Sequence, residues 1–553
     1  MRRFTWNSSV FLLASFACAA FVARTPAAAQ DKTAAIDEIF SWATPNSPGG
    51  AVAVSLNGKL IVSRGYGLAD LERQVPITPE TVFDVASVTK QFVAAATLIL
   101  VEEGLLSLAE DVRKYVPELP DAGHKITLDH LLTHTSGVRE WTAILPLAAG
   151  EPDALTVVLR QRGLNFPPGE EWSYSNSNYV LLKEIVARVS GTSFSEFTAK
   201  RLFEPLGMKS TQYVANLRQD VKNRALAYEK ENGGWTVHMK LDNDRGGGGA
   251  LLSTASDLLI WNEALMDDQL GAFVTGKLQE PATLNNGRKI GYARGLFLET
   301  YRDAQEIWHS GGSAGYGTWL GRYPQHGLSI AVTCNAGDAV NSRAVARRLF
   351  DLFVPGAGAP DPKAGPPPAI SRDALADVTK KAGLFFNEQT GEPMWLAIDR
   401  GRLRVPEGPG LEQVAKDRFR RWGAFAQFMS QDAFELHFPS QESFELKTME
   451  GKTVRYRRAK PFSPTADELK AFAGRYESDE IGAVFLVEPA GGGLTMKLEH
   501  APTKSLPFAS VDSDTFQFRK MTVRFVRDVS GKVVALDFAN PVLRNVRLMR
   551  LPQ

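Results

Sequence analysis

The 553-residue chain predicts an α/β (α+β) fold: an antiparallel sheet flanked by helices with a helical insertion, followed by two small all-β barrel-like domains. Three observations carry this expectation. Strand-like apolar runs lie near residue 50 and again near residue 320, with mainly helical patterning between them, so one sheet would draw strands from both ends of its domain. A proline-rich break follows residue 355. Beyond it, short alternating segments recur with a constant offset.

At the start, Met1-Arg2-Arg3, an apolar stretch over residues 10–22 and the small residues Ala27-Ala28-Ala29 form the three parts of a secretory signal peptide, residues 1–29. The expected location is periplasmic or secreted, after cleavage near Ala29. Losing that segment removes three arginines and takes the formal charge from +1 to −2, which gives no electrostatic basis for a nucleic-acid partner. Cys334 is then the remaining cysteine, so an intramolecular disulfide is excluded. No later apolar stretch is long enough to span a bilayer.

Residues 30–355 read as the first globular domain. Runs at 50–56 and 59–63 flank Asn57-Gly58, a strong hairpin signal because a type I′ turn needs positive φ at both central residues. A helix opens within residues 85–92 and closes at Gly104. Helical patterns at 127–132 and 179–189 mark the insertion, residues 105–268. Strands at 317–323 and 328–333 and a helix at about 339–353 complete the domain.

Residues 356–371 form a linker stiffened by proline. Then Gly383, Gly391, Gly401 and Leu403 recur as Gly474, Gly482, Gly492 and Leu494, each 91 residues on. Each copy opens with a short helix, at 372–381 and 466–472, and continues in alternating strands such as 434–438 and 515–518. The two barrel-like domains are therefore placed at 372–460 and 461–553. Packing on the first domain, shading its cleft, forming a homodimer or binding a surface such as cell wall are the roles open to them.

Three clusters carry chemistry. Ser87 and Lys90 stand three apart at a helix start, so an alcohol and an amine share one face, and a desolvated lysine is neutral enough to take a serine proton. The bland reading is an N-cap serine and a surface lysine. Residues 167–179 form a Pro/Gly/Ser/Asn loop before a helix, from which Tyr174 would relay a proton beside Lys90 and Asn176 would hydrogen-bond a substrate amide. A solvated turn is the alternative there. Residues 308–316 hold His309, Gly311 and Gly312 in a glycine-rich turn whose N–H groups would face a developing oxyanion. Gly311-x-Ser313-x-Gly315 also matches a nucleophile elbow, but a strand pattern follows where the elbow needs a helix.

Ser87-x-x-Lys90, Tyr174-Ser175-Asn176 and His309-Ser310-Gly311, in that order and spacing, resemble the three motifs of the penicillin-recognising serine hydrolases. That superfamily includes class C β-lactamases, D-alanyl-D-alanine peptidases, D-aminopeptidases and family VIII esterases. The resemblance covers about residues 32–355 and implies a β-lactamase/transpeptidase-like domain. It implies Ser87 as nucleophile, with Lys90 and Tyr174 sharing base and acid duties. Backbone N–H groups of Ser87 and Gly312 would form the oxyanion hole, Asn176 would orient the acyl side chain, and His309 would polarise Tyr174 and the substrate. No cofactor and no metal is implied. Class C β-lactamases usually carry lysine where this chain has His309, so small esters, or amides and peptides with a D-residue, become the expected substrates. A weak β-lactamase and a non-catalytic cell-wall peptide-binding protein are the alternatives. His130 and His134 have the i, i+4 spacing of a zinc helix but lack its glutamate, and Gly246 to Gly249 lack the Lys-Ser or Lys-Thr of a phosphate loop.

Overall fold

Gly50–Leu56 is buried along almost its whole length, on both faces, as a strand inside a sheet must be. Its alternation divides the core: Ala51 and Ala53 point to one layer, Val52 and Val54 to the other. The computed structural model describes residues 32–214, 219–238, 250–358, 372–399, 401–405, 411–421, 434–448, 451–460 and 462–552. The expected signal peptide, residues 1–29, residues 359–371 of the expected linker and the glycines 246–249 lie outside the described residues.

The sheet has six antiparallel strands in the order Phe297–Tyr301, Ala304–Ser313, Tyr316–Tyr323, Leu328–Cys334, Gly50–Leu56, Lys59–Tyr66. The pairing of Val52 with Val332 unites the two ends of the domain. Asn57 and Gly58 both take positive φ, 51° and 72°, as the hairpin between the first two strands requires. Helices Thr33–Ile39 and Ser342–Phe353 cover one face, while Thr89–Glu102 and Ala255–Met266 cover the other.

Thr89–Glu102 is buried on every side from Lys90 to Leu100, with Lys90, Gln91 and Thr97 as its polar members, so it forms the axis of the domain. Helix Asn176–Ser190 packs beside it with Ile185, Leu181 and Leu182 in the same core. Its left-handed cap is Gly191.

Both C-terminal copies are eight-stranded. The second closes into a barrel where Gly474–Ser478 pairs with Leu543–Arg550. In the first, the edge strands Arg402–Arg404 and Glu412–Ala415 meet through Leu411 N–H donating to Leu403 O, 2.6 Å. The repeat extends to conformation: Gly391 and Gly482 have φ of 70° and 72°. Each copy also ends in an arginine folded back on its leading helix, Arg458 donating to Ala382 O and Arg550 to Ala473 O.

The second barrel is docked on the first domain and shares its hydrophobic core cluster. Arg544 makes a bidentate pair with Glu171 at 3.0 and 2.8 Å, and Asn165 Nδ2 donates to Val542 O. Arg139, with its side chain 5 % exposed, is ion-paired to Glu480.

Candidate active site

The segment that carries Ser87 begins at Phe83–Asp84, a two-residue strand that ends in a 3₁₀ turn, Ala86–Val88, leading into the Thr89–Glu102 helix. Ala86 lies in the left-handed region at φ 47°, strained for a residue with a side chain. Buried Asp84 accepts its N–H at 2.8 Å and so holds the turn that delivers Ser87. Lys90 follows one helical turn later. Its Nζ donates to Ser87 Oγ at 3.2 Å and to Asn176 Oδ1 at 2.8 Å. Burial lowers the Lys90 pKa to about 7 despite the opposing pull of the Glu140 charge, so a large fraction of the amine is neutral near pH 7.

Tyr174 and Asn176 reach the same point from the loop before helix Asn176–Ser190. The Lys90 nitrogen stands 4.7 Å from the centre of the Tyr174 ring. Burial pushes the Tyr174 pKa well above 10 against the opposing influence of the Ser87 hydroxyl, so the phenol keeps its proton. Behind it, His134 Nδ1 accepts from Ser175 N–H at 3.2 Å and its ring lies 4.3 Å from that of Tyr174. His130 is part of a helix capping box with Thr127.

His309, Gly311 and Gly312 lie on the strand Ala304–Ser313, where the sequence suggested a turn; the turn comes after, at Ala314-Gly315. Glycine weakens an isolated strand, but the paired strand Tyr316–Tyr323 supplies the ladder, with Gly311 opposite Thr318. Gly311 is required by proximity: a Cβ there would fall 2.1 Å from Val85 O and 3.0 Å from Ser87 N. A Cβ on Gly312 would meet nothing within 4 Å, so that residue faces open space. His309 is 2 % exposed, its Nδ1 donates to Ser310 O at 2.6 Å, and Tyr292 OH lies 3.5 Å from Nε2. Burial, reinforced by the Lys90 charge, lowers its pKa to about 3. A neutral imidazole offers no cationic anchor for a substrate carboxylate.

The β-lactamase family profile matches residues 35–352. The chain belongs to the β-lactamase family. Among relatives, it is 30% identical over 314 residues to "Penicillin-binding protein 4*" of Bacillus subtilis, covering 52% of this chain and 68% of that one. It is 25% identical over 545 residues to a D-aminopeptidase of Brucella ovis, covering 93% and 98%. A solved octameric penicillin-binding protein homologue from Pyrococcus abyssi aligns with a TM-score of 0.52 at 23% identity, covering 77% of this chain and 98% of that one, and supports the shared fold. This family member is a serine hydrolase. Among its described residues, no helix is long and apolar enough to cross a membrane.

The sequence reading brought Ser87, Lys90, Tyr174, Asn176, His309, Gly311 and Gly312 forward, and they converge in space. It missed Asp84, Glu140 and Arg139, which sit in no motif of recognisable spacing. One signal was available for the docked barrel: where the second copy has Glu480, the first, 91 residues earlier, has Gln389.

Proposed function

We propose that this β-lactamase-family hydrolase cleaves amide or peptide bonds of D-amino-acid substrates through an acyl-enzyme on Ser87. The observation that carries the mechanism is Lys90 Nζ at 3.2 Å from Ser87 Oγ, held there with its pKa near neutrality. Neutral Lys90 takes the Ser87 proton as Oγ bonds to the carbonyl carbon. The oxyanion is met by N–H groups of Ser87 and Gly312, each donor typically contributing about 3 kcal/mol to transition-state stabilisation. Tyr174 gives its proton to the leaving nitrogen, the C–N bond breaks, and the proton on Lys90 restores the phenol. Water then attacks the ester with the same groups acting in reverse. The neutral His309 argues against a dedicated β-lactamase, whose substrates carry a carboxylate. The likeness to D-aminopeptidase along 93% of the chain, both barrels included, favours a D-residue amide or peptide.

Small esters are the second reading, favoured by the same lack of charge at His309. The domain limits 30–355, 372–460 and 461–553, export through residues 1–29 to the periplasm or medium, and self-association through the barrels belong to this proposal. Intact-protein mass spectrometry after exposure to D-amino-acid amides, p-nitrophenyl esters, nitrocefin or a fluorophosphonate tests it. The expected result on wild type is a single adduct, an acyl group from the amides or esters and a phosphonyl group from the fluorophosphonate, and none on Ser87→Ala. Labelling and turnover that survive Ser87→Ala would overturn it. N-terminal sequencing of the exported protein should begin near Gln30.

A further inference from the structure

Glu140 is 2 % exposed and belongs to none of the three motifs. It precedes the short helix Trp141–Ile144, and the neighbouring residues stitch that segment to the Tyr174–Asn176 loop. Ser177 Oγ donates to Arg139 O at 2.6 Å and accepts from Trp141 N–H at 3.0 Å. Arg139 itself is fixed by the second barrel through Glu480. Held in this frame, Glu140 Oε2 accepts the backbone N–H of Asn176, one of the unpaired donors at the start of a 15-residue helix. Its Oε1 faces Asn176 Nδ2 at 3.3 Å.

The chemistry of a carboxamide makes this contact directional. Asn176 has one acceptor atom and one donor atom at the tip of its side chain. A carboxylate accepts only, and Lys90 presents N–H donors, so Glu140 on one side and Lys90 on the other permit a single orientation of the amide. We propose that Glu140 is a positioning residue for acylation at Ser87: it holds the Asn176 carboxamide with Oδ1 toward Lys90, and through it places the Lys90 nitrogen against the Ser87 hydroxyl. This rests on the acyl-enzyme reading above.

The charge of Glu140 acts on Lys90 as well, opposing the burial that drives its proton off. The other groups facing Lys90 are Tyr174, Tyr179 and Lys183 from the neighbouring loop and helix, with His134 and His309 behind. Both histidines are held neutral by burial and both tyrosines keep their protons, so Glu140 is the negative group of this set.

Glu140 also accepts from Thr142 N and Oγ1, a helix cap that by itself would make it merely structural. Four proteins separate the roles: wild type, Glu140→Gln, Glu140→Asp and Thr142→Val, with the acylation rate measured against pH by the release of p-nitrophenolate from a p-nitrophenyl ester and thermal melts in parallel. Glu140→Gln should lower the acylation rate roughly tenfold or more and move the acid limb down by about 1 pH unit. Glu140→Asp should lose rate through its shorter reach but keep the limb in place. Thr142→Val should keep both. A Glu140→Gln protein with wild-type rate and limb, or one whose loss only tracks its unfolded fraction, overturns the inference. A wild type that acylates elsewhere than Ser87 overturns both this and the reading it rests on.

Discussion

Replacing Gly311 by alanine asks how tightly the Ser87 turn and the strand Ala304–Ser313 must meet. The new methyl would lie 2.1 Å from Val85 O, backbone against which no flexible side chain can give way, and Cβ atoms essentially never approach closer than 3.0 Å. The strand must therefore move off the turn by about 1 Å, a displacement that commonly costs on the order of 100-fold in rate when it separates groups acting together. On the reading proposed above, it separates the N–H of Ser87 from that of Gly312, and loss of one oxyanion donor alone costs about 10² to 10³ in turnover. Overpacking adds a stability loss of about 1–3 kcal/mol. Gly312→Ala is the paired control, since its methyl enters open space and should leave the melting temperature unchanged. Ester or amide turnover, fluorophosphonate labelling and thermal melts of both variants measure the difference. A Gly311→Ala protein that melts and labels like wild type would refute the close-contact argument.

Lys90→Met should abolish acylation and stabilise the protein below pH 7. Each pKa unit corresponds to about 1.4 kcal/mol, so a lysine brought from 10.5 to about 7 destabilises its charged form by on the order of 5 kcal/mol. The unfolded chain holds the extra proton between those values, so wild-type stability rises with pH across that window and the advantage of the variant shrinks; urea melts at pH 6 and 9.5 check it, and a pH-independent difference would count against it. The wild-type acid limb for acylation should lie near pH 7 in a stopped-flow labelling series. Asp84, raised by burial from 3.8 to about 6, has the opposite sign: the native state keeps a proton the unfolded chain gives up, so stability falls by about 3 kcal/mol as pH rises through 4 to 6, a slope Asp84→Asn should flatten. Glu480→Ala leaves the buried Arg139 cation without its carboxylate and should cost about 3 kcal/mol in urea unfolding. An unchanged midpoint would show that the barrel does not anchor the segment.

Much of the chain was legible because its determinants are local. Asn57-Gly58 dictates its own turn, the repeat glycines mark turns at equal spacing, and Ser87 and Lys90 meet through their spacing of three, Ser87 in the 3₁₀ turn and Lys90 in the helix it leads into. The glycine-rich third motif misled because local propensity describes Gly311 and Gly312 as a turn, whereas their conformation is set by a partner strand. Glu140 and Asp84 were invisible for a related reason. A single carboxylate carries no pattern, and each becomes meaningful only when tertiary structure brings it to an N–H of Asn176 or Ala86. Arg544 and Glu171 likewise meet across the length of the chain.

The pairing of Gly50–Leu56 with Leu328–Cys334 has a consequence for biogenesis. The sheet's central seam joins strands at opposite ends of the domain, so its contact order is high and loop closure must precede the stabilising contacts. During synthesis the first hairpin leaves the ribosome long before its partner strand exists. Strand Ala304–Ser313, which lines Ser87, also arrives late. Until then the growing chain contains Ser87 and Lys90 but not the strand that lies against them. The sheet around Ser87 is thus incomplete until translation has passed residue 334, and a chain cut short before that point carries the motif without the sheet that frames it.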